Sequence, residues 1–197
     1  VGRGGVGVVY RAWDKAGEKY VALKVIAAEA GVSPEEETRL TREGEVLSHL
    51  DHPGIVKIFA YGVLDDSHLP FIAMEWLDGA DLVARQRTNP LSIKQAVDLA
   101  ILVATALETA HRAGVIHRDI KPANIVLEPR AADPGELDAF PKLVDFGVAA
   151  AGDVRITRSG DVVGTPAYMA PEQARGDAPI DARSDIYSLG ATLFELI

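Results

Sequence analysis

The sequence predicts an α+β fold in two lobes: a small antiparallel sheet carrying one helix, then a mainly helical large lobe. Three observations predict it. Short runs rich in Val, Ile, Tyr and Phe, bounded by Gly, Pro, Asp and Lys turns, crowd into the first 77 residues. A capped stretch of helical spacing, Ser33 to Leu50, interrupts them once. From Pro90 onward the longest periodic segments are helical.

Composition narrows the function classes. The 197 residues are 48% hydrophobic and 25% charged, enough to bury a core in one domain or two small lobes. A net charge of −9 argues against nucleic acid or anionic membrane as the main partner. With no cysteine there is no disulfide framework, thiol nucleophile or Cys-ligated zinc, which fits a reducing compartment. No apolar run reaches the ~18–20 residues of a membrane span, and no signal peptide is visible. The chain opens in a glycine-rich run at Val1 and stops at Ile197 within a helical pattern, so it reads as a piece of a longer domain.

The elements follow in order. Gly2-Arg3-Gly4-Gly5-Val6-Gly7 is a run whose missing side chains let backbone N–H groups approach a phosphate. The same spacing fits a flexible turn or a dinucleotide-binding fold. Val8 to Trp13 then reads as a strand, Lys15 to Glu18 as a turn and Tyr20 to Ile26 as a second strand. A dinucleotide fold would open a helix there instead. Lys24 ends the second strand among apolar neighbours, either as an edge lysine or as a ligand for anions. Ser33, Pro34 and Glu36 start a helix with a capping box, and Leu40, Glu43, Leu47 and Leu50 share one of its faces. A carboxylate on an apolar stripe is costly unless paired, and Lys24 is the candidate partner for Glu43.

His52 to Phe59 is a turn into a strand, and Phe71 to Leu77 is another, closing on Asp78-Gly79. Met74 within it fits ordinary core filling. Ser92 and Gln95 form a second capping box, opening an Ala/Leu/Val-rich helix that runs to about His111. Being apolar on most sides, it is expected to be buried scaffold, with His111 at its C-terminal end and no chemistry assigned to it. Residues 128–141, rich in Pro, Asp, Ala and Gly, read as an exposed loop.

The chemistry concentrates in His117-Arg118-Asp119-Ile120-Lys121-Pro122-Ala123-Asn124, held between Ala113–Ile116 and Ile125–Leu127. Polar groups this dense, on a loop with apolar anchors at both ends, point to a site. Asp119 can accept a proton, Lys121 can neutralise developing negative charge, and Asn124 can offer an oxygen to a hard cation. Asp145-Phe146-Gly147 follows 26 residues after Asp119, beyond a short strand. Gly164-Thr165-Pro166-Ala167-Tyr168-Met169-Ala170-Pro171-Glu172 and a helix from Asp181 complete the chain.

Together these motifs resemble those of the eukaryotic-like serine/threonine protein kinases, with a bacterial flavour in the run ending at Gln173. The matches are G-x-G-x-x-G-x-V, V-A-I-K as Val21-Ala22-Leu23-Lys24, H-R-D-x-x-x-x-N, D-F-G and A-P-E. The resemblance covers essentially the whole chain. It implies the bilobal protein-kinase fold, with 1–74 as the small lobe, 75–79 as the hinge and 80–197 as a partial large lobe, and ATP-dependent phosphorylation of protein Ser/Thr hydroxyls, with Lys121 favouring Ser/Thr over Tyr. By that resemblance Lys24, held by Glu43, orients the ATP α and β phosphates. Asp119 positions the acceptor hydroxyl and takes its proton, and Lys121 offsets charge on the transferred group. Asn124 and Asp145 hold Mg2+ or Mn2+. Gly2, Arg3, Gly4, Gly5, Val6 and Gly7 cover the phosphates, while Val9, Ala22 and Val126 complete the ATP-binding set. Met74 becomes the gatekeeper, and Glu75 and Leu77 supply hinge backbone. His117, Arg118, Phe146, Glu172 and Asp185 give structural support, with Asp185 capping the catalytic-loop backbone and Glu172 awaiting an arginine that this chain lacks.

The stretch between Gly147 and Gly164 would be the activation segment, and its polar centre carries Thr157 and Ser159. Arg118, read as a buried guanidinium, would receive phosphate from either, leaving Thr165 for structural and substrate-pocket duty. The implied partners are ATP and protein substrates, with a homodimer as a candidate autophosphorylating form. Nucleic acid is not among them, and a membrane enters only through segments outside this chain, which places the domain in the cytoplasm. A pseudokinase scaffold or signalling interaction module is the alternative, opposed by the intact Lys24, Asp119, Asn124 and Asp145.

Overall fold

The computed structural model describes residues 2–4, 7–26, 44–146, 166–176 and 179–197, with Gly2, Arg3, Gly4 and Pro166 described in backbone only. They form two compact units: 1–51 with 56–77, and 52–55 with 78–197.

The first unit is a five-stranded antiparallel sheet in the order β1-β2-β3-β5-β4. The strands are β1 (Gly2–Gly4), β2 (Gly7–Asp14), β3 (Lys19–Ile26), β4 (Ile58–Val63) and β5 (Pro70–Glu75). β5 shows why the sequence folds this way. Pro70, Ile72 and Met74 are buried while Phe71, Ala73 and Glu75 are not, a period of two that leaves one apolar face to be covered. Helix α1, described over 44–48, contributes the buried Leu47, with Leu50 just beyond it. Its approach is close: a Cβ on Gly44 would lie 2.4 Å from the Tyr61 ring. Gly7 is equally constrained, because a Cβ there would stand 2.2 Å from the Val25 carbonyl oxygen. That glycine is therefore required by the neighbouring strand as well as by any phosphate. The strand expected over 71–77 stops at Glu75, whose N–H donates to the Lys57 carbonyl at 2.9 Å while its Oε1 accepts from the Lys57 N–H at 2.7 Å.

The second unit is mainly helical. A three-stranded antiparallel sheet joins β6 (Ala80–Asp81), β7 (Ile125–Pro129) and β8 (Ala139–Leu143). The unit's helices are α2 (Leu82–Thr88), packed on β6 and β7, α3 (Ile93–Arg112), packed on β8, α4 (Pro171–Arg175), and α5 (Ala182–Leu196), packed on α3. Helix α2 was not anticipated; its N-cap is Asp81, accepting from the Ala84 N–H at 2.7 Å. α3 starts as expected, with Ser92 and Gln95 exchanging both bonds of a capping box. Its Ala96, Leu99, Val103, Ala106, Leu107 and Ala110 are buried against β8 and α5. Each fully buried leucine there contributes about 1.5–3 kcal/mol.

Two expectations need correcting. α3 is buried on one side only: Ile93, Val97 and Ile101 form an exposed stripe, since apolar residues at spacing four fall on one helical face whether or not anything covers it. Residues 128–141 are not simply an exposed loop. β7 and β8 extend through both ends of the stretch, and Leu137, Ala139 and Pro141 are buried. Its tip is also tied down, by Arg85 to Asp138 at 2.9 Å, Lys94 to Glu136 at 3.1 Å and Gln95 Nε2 to the Glu136 carbonyl at 2.8 Å. The ion pairs face solvent and add little. The Leu137 side chain is the anchor.

Candidate active site

The loop 117–124 is shaped by one buried carboxylate. Asp185, on α5, is fully buried and accepts three hydrogen bonds. Its Oδ2 takes the His117 N–H at 2.9 Å, its Oδ1 the Arg118 N–H at 2.8 Å, and His111 Nε2 donates to Oδ2 at 2.7 Å. A buried carboxylate is tolerable only when its oxygens are so satisfied, and removing it would leave the two loop N–H groups without their acceptor. His111 was assigned no chemistry from the sequence. Its position on the last turn of α3 gives it a structural partner that lies 74 residues away.

His117 links the loop to the segment after β8. Its ring is buried, accepts from the Asp119 N–H through Nδ1 at 3.3 Å and donates from Nε2 to the Val144 carbonyl at 3.0 Å. That pattern defines a neutral imidazole. The ring also lies 4.5 Å from that of Phe146, which is buried too. Burial holds the His117 imidazole below its ordinary 6.5, against the pull of the carboxylates of Asp185, Asp119 and Asp145. An unfolded chain takes up a proton near pH 6.5 where the folded one does not. Stability is thus fully present above that value and is lost as the pH falls below it. The thermal midpoint should therefore drop between pH 7 and about pH 5.5. His117→Phe should melt lower throughout but with a flatter pH dependence, and an unchanged slope would contradict this origin.

The candidate catalytic residues converge around Asp119. Its Oδ2 accepts Lys121 Nζ at 2.7 Å and Asn124 Nδ2 at 2.9 Å, while Oδ1 receives no donor from the described residues. Asn124 Nδ2 also reaches the Asp119 carbonyl at 2.8 Å. Its amide is buried and oriented, so its own side-chain oxygen is turned away from these acceptors. The antiparallel register pairs Ile125 with Leu143, and the Val144 N–H donates to the Asn124 carbonyl at 3.0 Å. Asn124 and Asp145 are therefore brought alongside at the end of the β7–β8 hairpin. Both are hard oxygen donors, a fit for a divalent cation that completes its shell with phosphate and water. Among the described residues, no cluster of three or more His, Asp or Glu could hold a metal by itself.

Two non-glycine residues of this site adopt left-handed backbone, Arg118 at φ 68° and Asp145 at φ 61°. Such conformations persist where surrounding bonds over-determine them, and they concentrate at functional sites. Arg118 also corrects the sequence reading: the residue is exposed, not buried. Its N–H is held by Asp185 and its carbonyl by Gln173, so the bonds that fix its backbone leave its side chain facing outward.

The other site residues are placed as follows. In the first unit, the register pairs Val9 with Lys24, Lys24 with Ile72, and Ala22 with Met74. Directly opposed residues share a face, so Val9, Ala22, Lys24 and Met74 lie on one side of the sheet. Leu77 follows the sheet within the same unit. Val126 belongs to the second unit, on β7, opposite Asp81 and Lys142. Glu172 accepts from Ser184 Oγ at 2.6 Å, a bond that lowers its carboxyl below the usual range. Burial and the Glu195 carboxylate push the Tyr168 phenol up to about 12. Gly5, Val6, Glu43, Gly147, Thr157, Ser159 and Thr165 lie outside the described residues.

A five-stranded antiparallel sheet unit, and a mainly helical unit in which Asp119, Lys121 and Asn124 are bonded together on one loop, make the architecture of protein kinase domains. The chain belongs to the protein kinase domain family, whose model matches residues 1–197. It is 41% identical over 203 residues to the serine/threonine-protein kinase pkn3 of Myxococcus xanthus, covering all of this chain and 36% of that protein. It is 39% identical to the serine/threonine-protein kinase PknB of Mycobacterium leprae, covering all of this chain and 31% of the relative. The crystal structure of the Mycobacterium tuberculosis PknI kinase domain superposes with a TM-score of 0.75 at 32% identity, over all of this chain and 71% of that one. The chain spans about a third of the length of the curated relatives it matches. The family as a whole uses ATP, a divalent metal and protein substrates. No helix among the described residues is long and apolar enough to cross a membrane.

Proposed function

We propose that this chain is the catalytic domain of an ATP-dependent serine/threonine protein kinase. The observation that carries the reading is the unequal dressing of Asp119, with two donors on Oδ2 and none from the described residues on Oδ1. Oδ1 then meets the acceptor hydroxyl and takes its proton as the oxygen attacks the γ-phosphorus. A new O–P bond forms, the bond from the γ-phosphorus to the β–γ bridging oxygen breaks, and ADP leaves. Lys121 stays beside the transferred group and offsets its charge. Asn124 and Asp145 would hold a divalent cation, which would neutralise phosphate charge as a Lewis acid when bound. Lys24, paired with Glu43, orients the α and β phosphates. Val9, Ala22, Met74, Val126 and the backbone of Glu75 and Leu77 receive the adenine. Because the chemistry asks for little bond-making by the protein, positioning and electrostatics supply the catalysis.

Thr157 and Ser159 are the sites of autophosphorylation in this reading, with Arg118 as the receiving cation. The exposed guanidinium supports that role, since it can reach a phosphate without prior opening of the core. The test is label transfer from γ-labelled ATP by the full-length protein, with the acceptor amino acid identified. Label is expected on Ser and Thr of an added protein and on Thr157 or Ser159 of the enzyme. ATP turnover with label on neither would sink the kinase reading. A fully active Thr157→Ala/Ser159→Ala variant without phosphate at either position would sink only its regulatory part.

A further inference from the structure

Gln173 lies two residues past the proline that opens α4 and is 5% exposed. A buried side-chain amide must satisfy its polar atoms, and this one does so in two directions. Its Oε1 accepts the Ala170 N–H at 3.1 Å, a donor left over at the start of α4. Its Nε2 donates to the Arg118 carbonyl at 2.8 Å, across 55 residues of sequence. That carbonyl belongs to the peptide joining Arg118 to Asp119. The N–H of the same peptide donates to His117 Nδ1 at 3.3 Å, and the N–H of the peptide before it is held by Asp185 at 2.8 Å. Arg118, between these two peptides, is left-handed at φ 68°.

The geometry points to Gln173 as a positioning residue for Asp119, acting through the Arg118 carbonyl; this rests on the kinase reading of Asp119. A non-glycine residue stays left-handed only while its flanking peptides are anchored. Asp185 anchors one side of Arg118, and Gln173 anchors the other. Without the Gln173 donor the Arg118 carbonyl turns to find another partner. The peptide it belongs to rotates, and Asp119, attached to that peptide, changes its aim. The same bond makes the start of α4 and the catalytic loop move together, so a displacement of α4 is felt at Asp119.

Two substitutions separate this role from simple helix capping. Gln173→Glu keeps the size and an acceptor for the Ala170 N–H but places an oxygen against the Arg118 carbonyl. Gln173→Met keeps the size and removes both bonds. In the full-length protein both should lower kcat by roughly 10- to 100-fold, the scale of a small misplacement of a reacting group. KM for ATP should stay within about twofold, because it is the acceptor side that moves. Gln173→Glu buries a carboxylate oxygen against the Arg118 carbonyl and should melt below wild type, so activity and exchange are read well below its transition. Amide hydrogen exchange over 117–120 should quicken in Gln173→Glu by roughly an order of magnitude, with α3 unchanged. A Gln173→Glu enzyme with wild-type kcat, or one whose loss lies in KM for ATP, overturns the proposal. Unchanged exchange over 117–120 overturns it independently of any activity. A wild type that transfers no phosphate would instead count against the kinase reading, and the exchange result would still decide the role of Gln173.

Discussion

Asp145→Asn should abolish phosphoryl transfer while the protein remains folded, and Lys24→Met should do the same. The asparagine is the informative replacement at 145. Position 145 has φ 61°, and asparagine is among the few residues that occupy that region readily, so the backbone need not change. What is lost is one oxygen ligand and a full negative charge beside Asn124, and a hard divalent cation depends on both. A loss of about 10³-fold or more in kcat is expected, since even one neutral donor at a developing charge is worth about 10²–10³. Lys24→Met removes positive charge of the same importance from the phosphates, while methionine fills a similar volume on the strand. Rate measurements at saturating ATP, with circular dichroism and melting as controls for folding, check both. A folded variant with wild-type kcat would refute its assignment.

Asp119→Asn should behave differently. Lys121 and Asn124 both donate to Oδ2, and the amide oxygen of an asparagine can take that place. Its NH2 group then stands where Oδ1 stood and cannot accept a proton. The loop keeps its shape, but the acceptor hydroxyl loses its base. A fall in kcat of about 10² or more is expected, the usual scale for general-base loss, with KM for ATP roughly unchanged. Loss of nucleotide binding in a folded Asp119→Asn enzyme would contradict the division of roles.

Local pattern carried most of the fold into view. The period of two in β5, the hairpin spacing between β2 and β3 and the Ser92–Gln95 box are written within a few residues of each other, where sequence reasoning is strong. The loop 117–124 and Asp145 were legible for a different reason, because they sit in motifs. What escaped was long-range. His111 meeting Asp185 and Gln173 meeting the Arg118 carbonyl join residues 74 and 55 apart, and hydrogen bonds of that reach leave no periodic trace. Leu137 was hidden by polar neighbours, so a stretch that buries one leucine read as wholly exposed. Arg118 failed for the opposite reason. Its place beside Asp119 suggested burial, but its left-handed backbone turns the side chain to the surface.

The division between a metal-holding Asp145 and a hydroxyl-facing Asp119 is tested most directly by calorimetric titration of an ATP analogue that cannot be hydrolysed, with and without Mg2+. Full-length wild type and Asp119→Asn should bind it with similar affinity and the same strengthening by Mg2+. Asp145→Asn should lose that strengthening. Equal Mg2+ dependence in all three proteins, or its loss in Asp119→Asn alone, would contradict the assignment.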